Sequence, residues 1–303
     1  MEGMTRFLLT LALLASSGCV ARMAYDDRDL DGGTHRVPSS LLSVRKPHPT
    51  PAELARPVVV ATHGYSATTW DTQLLAEALE KRDVQVSNVN LGAHGTSLAE
   101  FEASTWRTWE EPLVAEYRAL RKQGYQHVGI FGHSTGATLW LQALADNRLG
   151  VMPERLAFLA PLIQFSSRTR LIQIAGLAPF LGVRAIERPV AGASKGHIYR
   201  FRPITTLRTL EELTSGVHRK LVHGLALPAA SRVLIIQGEG DEVVDPQGVQ
   251  DLAHGLIGPS VQVMVVPTGM HNPIAPDGIQ GHVFTSAEAG LRQRIIDAIV
   301  GLY

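Results

Sequence analysis

Apolar runs of strand length alternate with longer stretches of helical periodicity along most of this chain. The runs are Val58 to Thr62, Val84 to Val89, Val128 to Phe131, Leu156 to Leu159, Val233 to Gln237 and Val261 to Val266. Strands buried on both faces read as continuous apolar runs, and helices between them provide the crossovers of a parallel sheet. The spacing predicts helices over Thr69 to Lys81, Glu110 to Lys122, Ala137 to Asn147, Pro246 to His254 and Ala287 to Val300. In the last, Leu291, Ile295, Ile296 and Ile299 form a helical stripe. The expectation is an α/β protein with a mostly parallel central sheet and helices on both faces.

One interval breaks the rhythm. Between Leu159 and Val233 there is no clear strand, over a span too long for a plain loop in a compact domain. A helical insertion is expected there, with an apolar stretch from Leu171 to Leu181 and a helix from Leu207 to Leu225. The expected division is therefore a core of residues 57–161 and 231–303, interrupted by a cap at 162–230. Residues 20–56 carry Asp26-Asp27-Arg28-Asp29 and then Pro38, Pro47, Pro49 and Pro51, a composition suited to a tether leading into the first strands.

The first nineteen residues read as an export signal: Arg6, the apolar stretch Phe7 to Ala15, then Ser16-Ser17-Gly18-Cys19. The apolar stretch is too short to span a bilayer, which takes roughly 20 residues. Gly18-Cys19 resembles a bacterial lipoprotein cleavage site, although Ser16 stands where leucine is usual, and cleavage after Ala21 is the alternative. The resemblance implies an exported protein tethered to a membrane through lipidated Cys19, and otherwise a periplasmic or secreted one. Cys19 is the only cysteine, so no disulfide can form within the chain.

At 303 residues and 45% hydrophobic content, the chain can bury a large core. Its 28 basic and 28 acidic residues cancel, which gives no reason to expect a nucleic-acid partner. Charge is uneven locally: from Leu162 to Ala230 there are ten Arg or Lys against three Glu.

The candidate chemistry begins at Gly132-His133-Ser134-Thr135-Gly136, which follows one apolar run and opens a helical one. Strand, glycine-flanked serine and helix make a nucleophile elbow, with the serine hydroxyl exposed above the sheet. The same five-residue pattern recurs at Gly192-Ala193-Ser194-Lys195-Gly196, but without a strand before it or a helix after it, so Ser194 reads as a loop serine. A serine hydroxyl needs a base and an acid to orient that base. His271 follows the last apolar run, Asp241 follows the run before it between Gly240 and Glu242, and the order Ser, Asp, His suits an α/β-hydrolase. His254 and His282 are fallback bases. Asp245 is the rival acid, although its place before Pro246 also suits a helix N-cap, and Glu239 is a weaker rival. Main-chain N–H groups of Thr135 and Tyr65 are the expected oxyanion donors.

These motifs resemble the α/β-hydrolase superfamily, and within it bacterial carboxylesterases, monoacylglycerol lipases and lysophospholipases. Asn90-Leu91-Gly92-Ala93-His94-Gly95-Thr96-Ser97 looks like the Gly-His-Gly loop of these enzymes, with Ala93 as a departure. His63-Gly64 looks like their oxyanion loop, Gly240-Asp241-Glu242-Val243-Val244 their acid loop and Met270-His271-Asn272 their histidine loop. The resemblance implies that His94 shapes its loop and His133 fixes the elbow. It implies a serine hydrolase of carboxylic esters that needs no cofactor; no metal-ligand spacing or dinucleotide fingerprint appears. The other readings are an acyltransferase or amidase with the same triad, or a catalytically silent lipid-tethered binding protein. A small-molecule or lipid ester is the expected partner, with Arg168, Arg170, Arg200 and Arg202 as candidates to meet anionic head groups or simply to form a solvated face.

Overall fold

Six strands pair in parallel into one sheet: β1 (Val58–Thr62), β2 (Gln85–Val89), β3 (Val128–His133), β4 (Arg155–Leu159), β5 (Arg232–Gly238) and β6 (Ser260–Val266). Their order across the sheet is β6-β5-β4-β3-β1-β2. The computed structural model describes residues 45–166, 184–188, 190, 192–194, 196–276 and 282–303. The expected export signal with Cys19, the tether up to residue 44, Arg168, Arg170 and the stretch Leu171 to Leu181 lie outside the described residues.

The sheet alternates its side chains between two apolar layers. Val58, Val60, Ile130 and Ile235 face one core cluster, while Val59, Ala61, Phe131 and Ile236 face the other. The first cluster is completed by helices α4 (Trp106–Gln123), α5 (Thr135–Ala145), α6 (Ile204–His223) and α7 (Pro246–Gly255). The second is completed by α2 (Gln73–Glu80) and α8 (Ser286–Val300), which contributes Leu291, Ile295 and Ile299. Because every strand runs the same way, the carboxyl ends of all six gather along one edge, where open α/β sheets place their ligands. Polar residues inside β2 are paired, as burial demands: Ser87 Oγ donates to Glu116 at 2.7 Å, and Thr72 Oγ1 donates to Asn88 Oδ1 at 2.6 Å.

Several boundaries differ from the sequence expectation for identifiable reasons. Residues 45–56 contain no strand; they hold the short helix α1 (Pro51–Ala55), whose Thr50–Glu53 capping box and Pro51 at the first turn are helix-start signals within a proline-rich stretch. The stretch expected to begin a helix at Thr69 opens instead with a 3-10 turn, Thr69–Thr72, before α2. Helix α4 starts at Trp106 rather than Glu110 and carries Pro112 inside it. Proline has no N–H to return to the carbonyl four residues earlier. The Gly92 backbone packs against that Thr108 carbonyl, where a β-carbon would lie 2.0 Å away, and Gly92 N–H donates to the next carbonyl, Trp109 O, at 3.3 Å. The interruption in the helix thus seats the loop after β2.

The insertion between β4 and β5 is helical mainly through α6, which starts at Ile204, three residues before the expected Leu207, and packs on α5 and α7. It also holds short strands that the sequence pattern did not predict: Ala185–Glu187 pairs antiparallel with Phe201–Pro203, and Leu225–Ala226 pairs with Leu256–Ile257. Two or three residues are too few to establish a period of two. A short helix α3 (Leu98–Ala103), capped by Ser97 and Glu100, lies under α6. Among the described residues no helix is long and apolar enough to cross a membrane.

The layered core makes a quantitative expectation. Ile235 is fully buried between β4 and β6, whereas Val265 on the edge strand is 59% exposed. Ile235→Ala should cost about 2–5 kcal/mol in urea unfolding, and Val265→Ala no more than about 0.5 kcal/mol. Equal losses for the two would contradict this packing.

Candidate active site

Ser134 joins the last residue of β3 to the first of α5 with φ 51° and ψ −117°. A non-glycine residue held at positive φ is strained by about 1–3 kcal/mol, and surrounding structure must hold it there. Two glycines let that happen. A β-carbon on Gly132 would meet Ala137 N at 2.5 Å, and one on Gly136 would meet His63 O at 2.5 Å, so strand, helix and the β1 loop close to distances that a side chain would forbid. Ser134 N–H donates to Leu159 O at 2.9 Å, which fixes the turn to β4.

The loops after β5 and β6 bring Asp241 and His271 to this turn. Ser134 Oγ lies 2.9 Å from His271 Nε2, and His271 Nδ1 lies 2.8 Å from Asp241 Oδ2. Asp241 Oδ1 accepts from Val243 N–H at 2.8 Å and Val244 N–H at 3.2 Å, and Gln237 Nε2 reaches Oδ2 at 3.3 Å. Burial by itself would raise the Asp241 pKa, but His271 and these two N–H groups outweigh it and hold the carboxyl below the usual carboxylate range. Burial also depresses His271 below the ordinary histidine value, and Asp241 pulls against that without reversing it. The result is a neutral imidazole whose Nδ1–H is held by a carboxylate and whose Nε2 accepts from the serine hydroxyl. That arrangement can remove a proton from Ser134.

The other candidates sit elsewhere. His254 is exposed on α7, and His282 pairs with Glu288 at 3.1 Å. Asp245 caps α7 by accepting from Gln247 N–H at 3.0 Å, and Glu239 is exposed. Ser194 ends a one-turn 3-10 helix, Gly192–Ser194, between the short strands of the insertion.

The loop His63 to Ala67 forms the opposite wall. Gly64 approaches the elbow so closely that a β-carbon would stand 3.0 Å from His133 Nδ1 and 3.3 Å from Ser134 Cβ. His63 Nδ1–H donates to Gly64 O at 2.8 Å, while its Nε2 accepts from Leu91 N–H at 3.0 Å; burial pushes the ring pKa down to about 4. A neutral histidine therefore ties the β1 loop to the β2 loop. Among the described residues, the main-chain N–H groups of Tyr65 and Thr135 donate to no protein acceptor. The Tyr65 ring packs on His94, Phe101 and Trp109, and its hydroxyl bonds Thr206 Oγ1 on α6 at 2.6 Å, linking the core loop to the insertion. His94 is buried in the same aromatic cluster, with Nδ1–H donating to Gly92 O at 3.1 Å.

Asp71 and Arg188 escaped the sequence reading, whereas Arg202 was among its candidate cations. Asp71, in the 3-10 turn, is 3.4 Å from His133 Nδ1, and His133 Nε2 lies 3.2 Å from the His271 carbonyl. Burial works to raise the Asp71 pKa, but His133 and His63 outweigh it and the carboxyl is held low. This second Asp–His pair braces the backbone that carries His271. Arg188 and Arg202, from the insertion, line the cavity above Ser134. That cavity, open to solvent, is also lined by Tyr65, Leu162, Phe165, Leu207 and Leu210. Arg200, by contrast, pairs with Glu187 at 2.7 Å and does not line it.

The sequence of this chain matches the model of the serine aminopeptidase S33 family over residues 53–275, which includes Ser134, Asp241 and His271. It is 32% identical over 108 residues to a thermostable monoacylglycerol lipase of Bacillus sp. (strain H-257), a match spanning 35% of this chain and 42% of that lipase. Among solved structures it resembles one from the metagenome-derived lipolytic enzymes LipS and LipT, with a TM-score of 0.63 at 19% identity, covering 81% of this chain and 94% of the other. A monoacylglycerol lipase of Paleococcus ferrophilus gives a TM-score of 0.59 at 13% identity, covering 82% and 97%. Since the family match takes in well over half of the chain, and the fold is that of these enzymes, the protein belongs to the serine aminopeptidase S33 family and is a serine hydrolase of the α/β-hydrolase superfamily.

Proposed function

We propose that the protein hydrolyses carboxylic esters through an acyl-enzyme formed on Ser134. The observation that carries this reading is the hydrogen-bonded chain Ser134 Oγ, His271 and Asp241 at the floor of a largely apolar cavity. Ser134 Oγ attacks the ester carbonyl while His271 Nε2 takes its proton. The developing oxyanion is received by the N–H groups of Tyr65 and Thr135, each donor of this type contributing roughly 2.7–4 kcal/mol. His271 then returns the proton to the departing alcohol. Water attacks the acyl-enzyme by the same route and releases the acid. Asp241 keeps the imidazole in the Nδ1–H tautomer and stabilises its charge when it forms.

Lipase and esterase relatives support an ester over a peptide, and so does the cavity's charge. An aminopeptidase must hold a substrate ammonium, which calls for a free carboxylate near the nucleophile. The carboxylate in the cavity wall, Asp71, is buried 3.4 Å from His133 Nδ1, and the other charged groups facing the space are the two cations Arg188 and Arg202. Such surroundings repel an ammonium. An acyltransferase would use the same residues with an alcohol in place of water.

Hydrolysis of p-nitrophenyl esters from acetate to palmitate, run beside aminoacyl p-nitroanilides and with or without an alcohol acceptor, separates these reactions. Esters are expected to be cleaved to free acid, Ser134→Ala to fall to background, and Asp241→Asn to lose up to about 10⁴-fold in kcat through the misplaced tautomer. Anilide cleavage exceeding ester cleavage, or activity surviving in Ser134→Ala, would refute the reading. The pH dependence has a definite sign as well. His271 must be neutral to act as base, and burial depresses its pKa below 6.5, so the acid limb of kcat/KM should be centred below that value. An acid limb centred above 6.5 would contradict the burial of His271.

A further inference from the structure

The insertion is basic where it meets the active site. Between Leu162 and Pro203 there are seven Arg or Lys and one acidic residue, Glu187. Glu187 is taken by Arg200, and Arg184 reaches across to Glu102 on α3 at 3.3 Å. Arg188 and Arg202 are different. Both line the cavity above Ser134, and neither forms an ion pair with a carboxylate among the described residues. The stretch 167–183 contributes no Asp or Glu to the sequence.

Arg202 lies against the Tyr65 ring, with its guanidinium carbon 5.8 Å from the ring centre, and its Nε is buried without an acceptor. Burial and then the charge of Arg188 push the Arg202 pKa down to about 10. Arg188 is depressed by burial, and the nearby carboxylate of Asp71, already engaged with His133, only partly offsets this. Two guanidiniums that share a cavity and form no ion pair with a carboxylate among the described residues carry a desolvation and repulsion cost. An anion entering the cavity would relieve both, and guanidinium forks match the oxygens of carboxylate and phosphate. Apolar residues Ile198, Leu207 and Leu210 line the same space and would take the carbon chain beside that anion.

We propose that Arg188 and Arg202 form an anion subsite in the cavity over Ser134, so that the preferred substrate is an ester bearing a carboxylate or a phosphate group. This inference rests on the ester-hydrolase reading and deepens it. The anion can belong to either side of the ester. In one case it ends a dicarboxylic acyl group; in the other it sits on the alcohol as a phosphate.

Two pairs of substrates distinguish the sources. Mono-p-nitrophenyl glutarate beside p-nitrophenyl valerate places the charge in the acyl part, and 1-butyrylglycerol 3-phosphate beside 1-butyrylglycerol places it in the alcohol. In at least one pair the wild type is expected to favour the anion by about tenfold or more in kcat/KM, equivalent to about 1.4 kcal/mol. Arg188→Gln and Arg202→Gln should bring that ratio towards one, and Arg188→Lys and Arg202→Lys should restore part of it. A purely structural role would lower both members of a pair and leave the ratio. A wild-type ratio near one in both pairs, or a ratio that neither glutamine variant moves, overturns the proposal.

Binding without turnover keeps the two readings apart. Glutarate or inorganic phosphate should raise the Tm of the wild type at constant ionic strength, and the glutamine variants should lose that rise. If the rise occurs as expected but no ester is cleaved above the Ser134→Ala background, the ester reading falls and the subsite stands. If neutral esters are cleaved through Ser134 while neither ratio nor Tm responds to the anion, the subsite falls and the ester reading stands.

Discussion

The close approach of β3, α5 and the β1 loop around Ser134 is the constraint on which the rest of the site depends. A serine at φ 51° cannot relax while Ser134 N–H is bonded to Leu159 O and α5 starts at the next residue. Without side chains at Gly132 and Gly136, the helix sits directly on the strand and on His63 O. The same closeness puts Gly64, the residue before Tyr65, against Ser134 Cβ, while Thr135 follows Ser134 directly as the first residue of α5. Strain in the backbone is thereby converted into a fixed direction for one oxygen atom.

Around that atom two Asp–His pairs do different jobs. Asp241 and His271 form a direct line to the hydroxyl, and both pKa values move in the sense that keeps a carboxylate beside a neutral imidazole. Asp71 and His133 lie behind it, with His133 Nε2 meeting the carbonyl of His271 and its ring lying 5.0 Å from the His271 ring. His63 joins the two loops on the far side through one ring nitrogen to each. Most of these groups are deeply buried, so their hydrogen bonds are exchanged for little water and the geometry is stiff.

The parallel sheet was legible because buried strands leave continuous apolar runs: all five residues of β1 and all six of β3 are buried. Asp241 and His271 were legible for a related reason, since each stands just beyond the carboxyl end of an apolar run. Asp71 was not, because it lies in a 3-10 turn where neither period applies and its partner His133 is 62 positions away along the chain. Arg188 was hidden in the same way within an insertion whose strands are two or three residues long. Arg202 could be named as a candidate cation, but which cations face Ser134 and which find a carboxylate is a matter of tertiary packing. The early start of α4 was obscured by Pro112, which reads as a helix breaker and here leaves the Thr108 carbonyl, against which Gly92 packs, without its helical N–H partner.

In the proposed mechanism one serine, made nucleophilic by His271, does the chemistry. Labelling with a neutral fluorophosphonate and mapping the adduct by peptide mass spectrometry tests it most directly, because the sequence offers two glycine-flanked serines and the reagent reports which is activated. A single adduct on Ser134, approaching one per chain and strongly slowed in His271→Ala, is the expected result. An adduct on Ser194, or labelling of Ser134 that is indifferent to His271, would contradict the account.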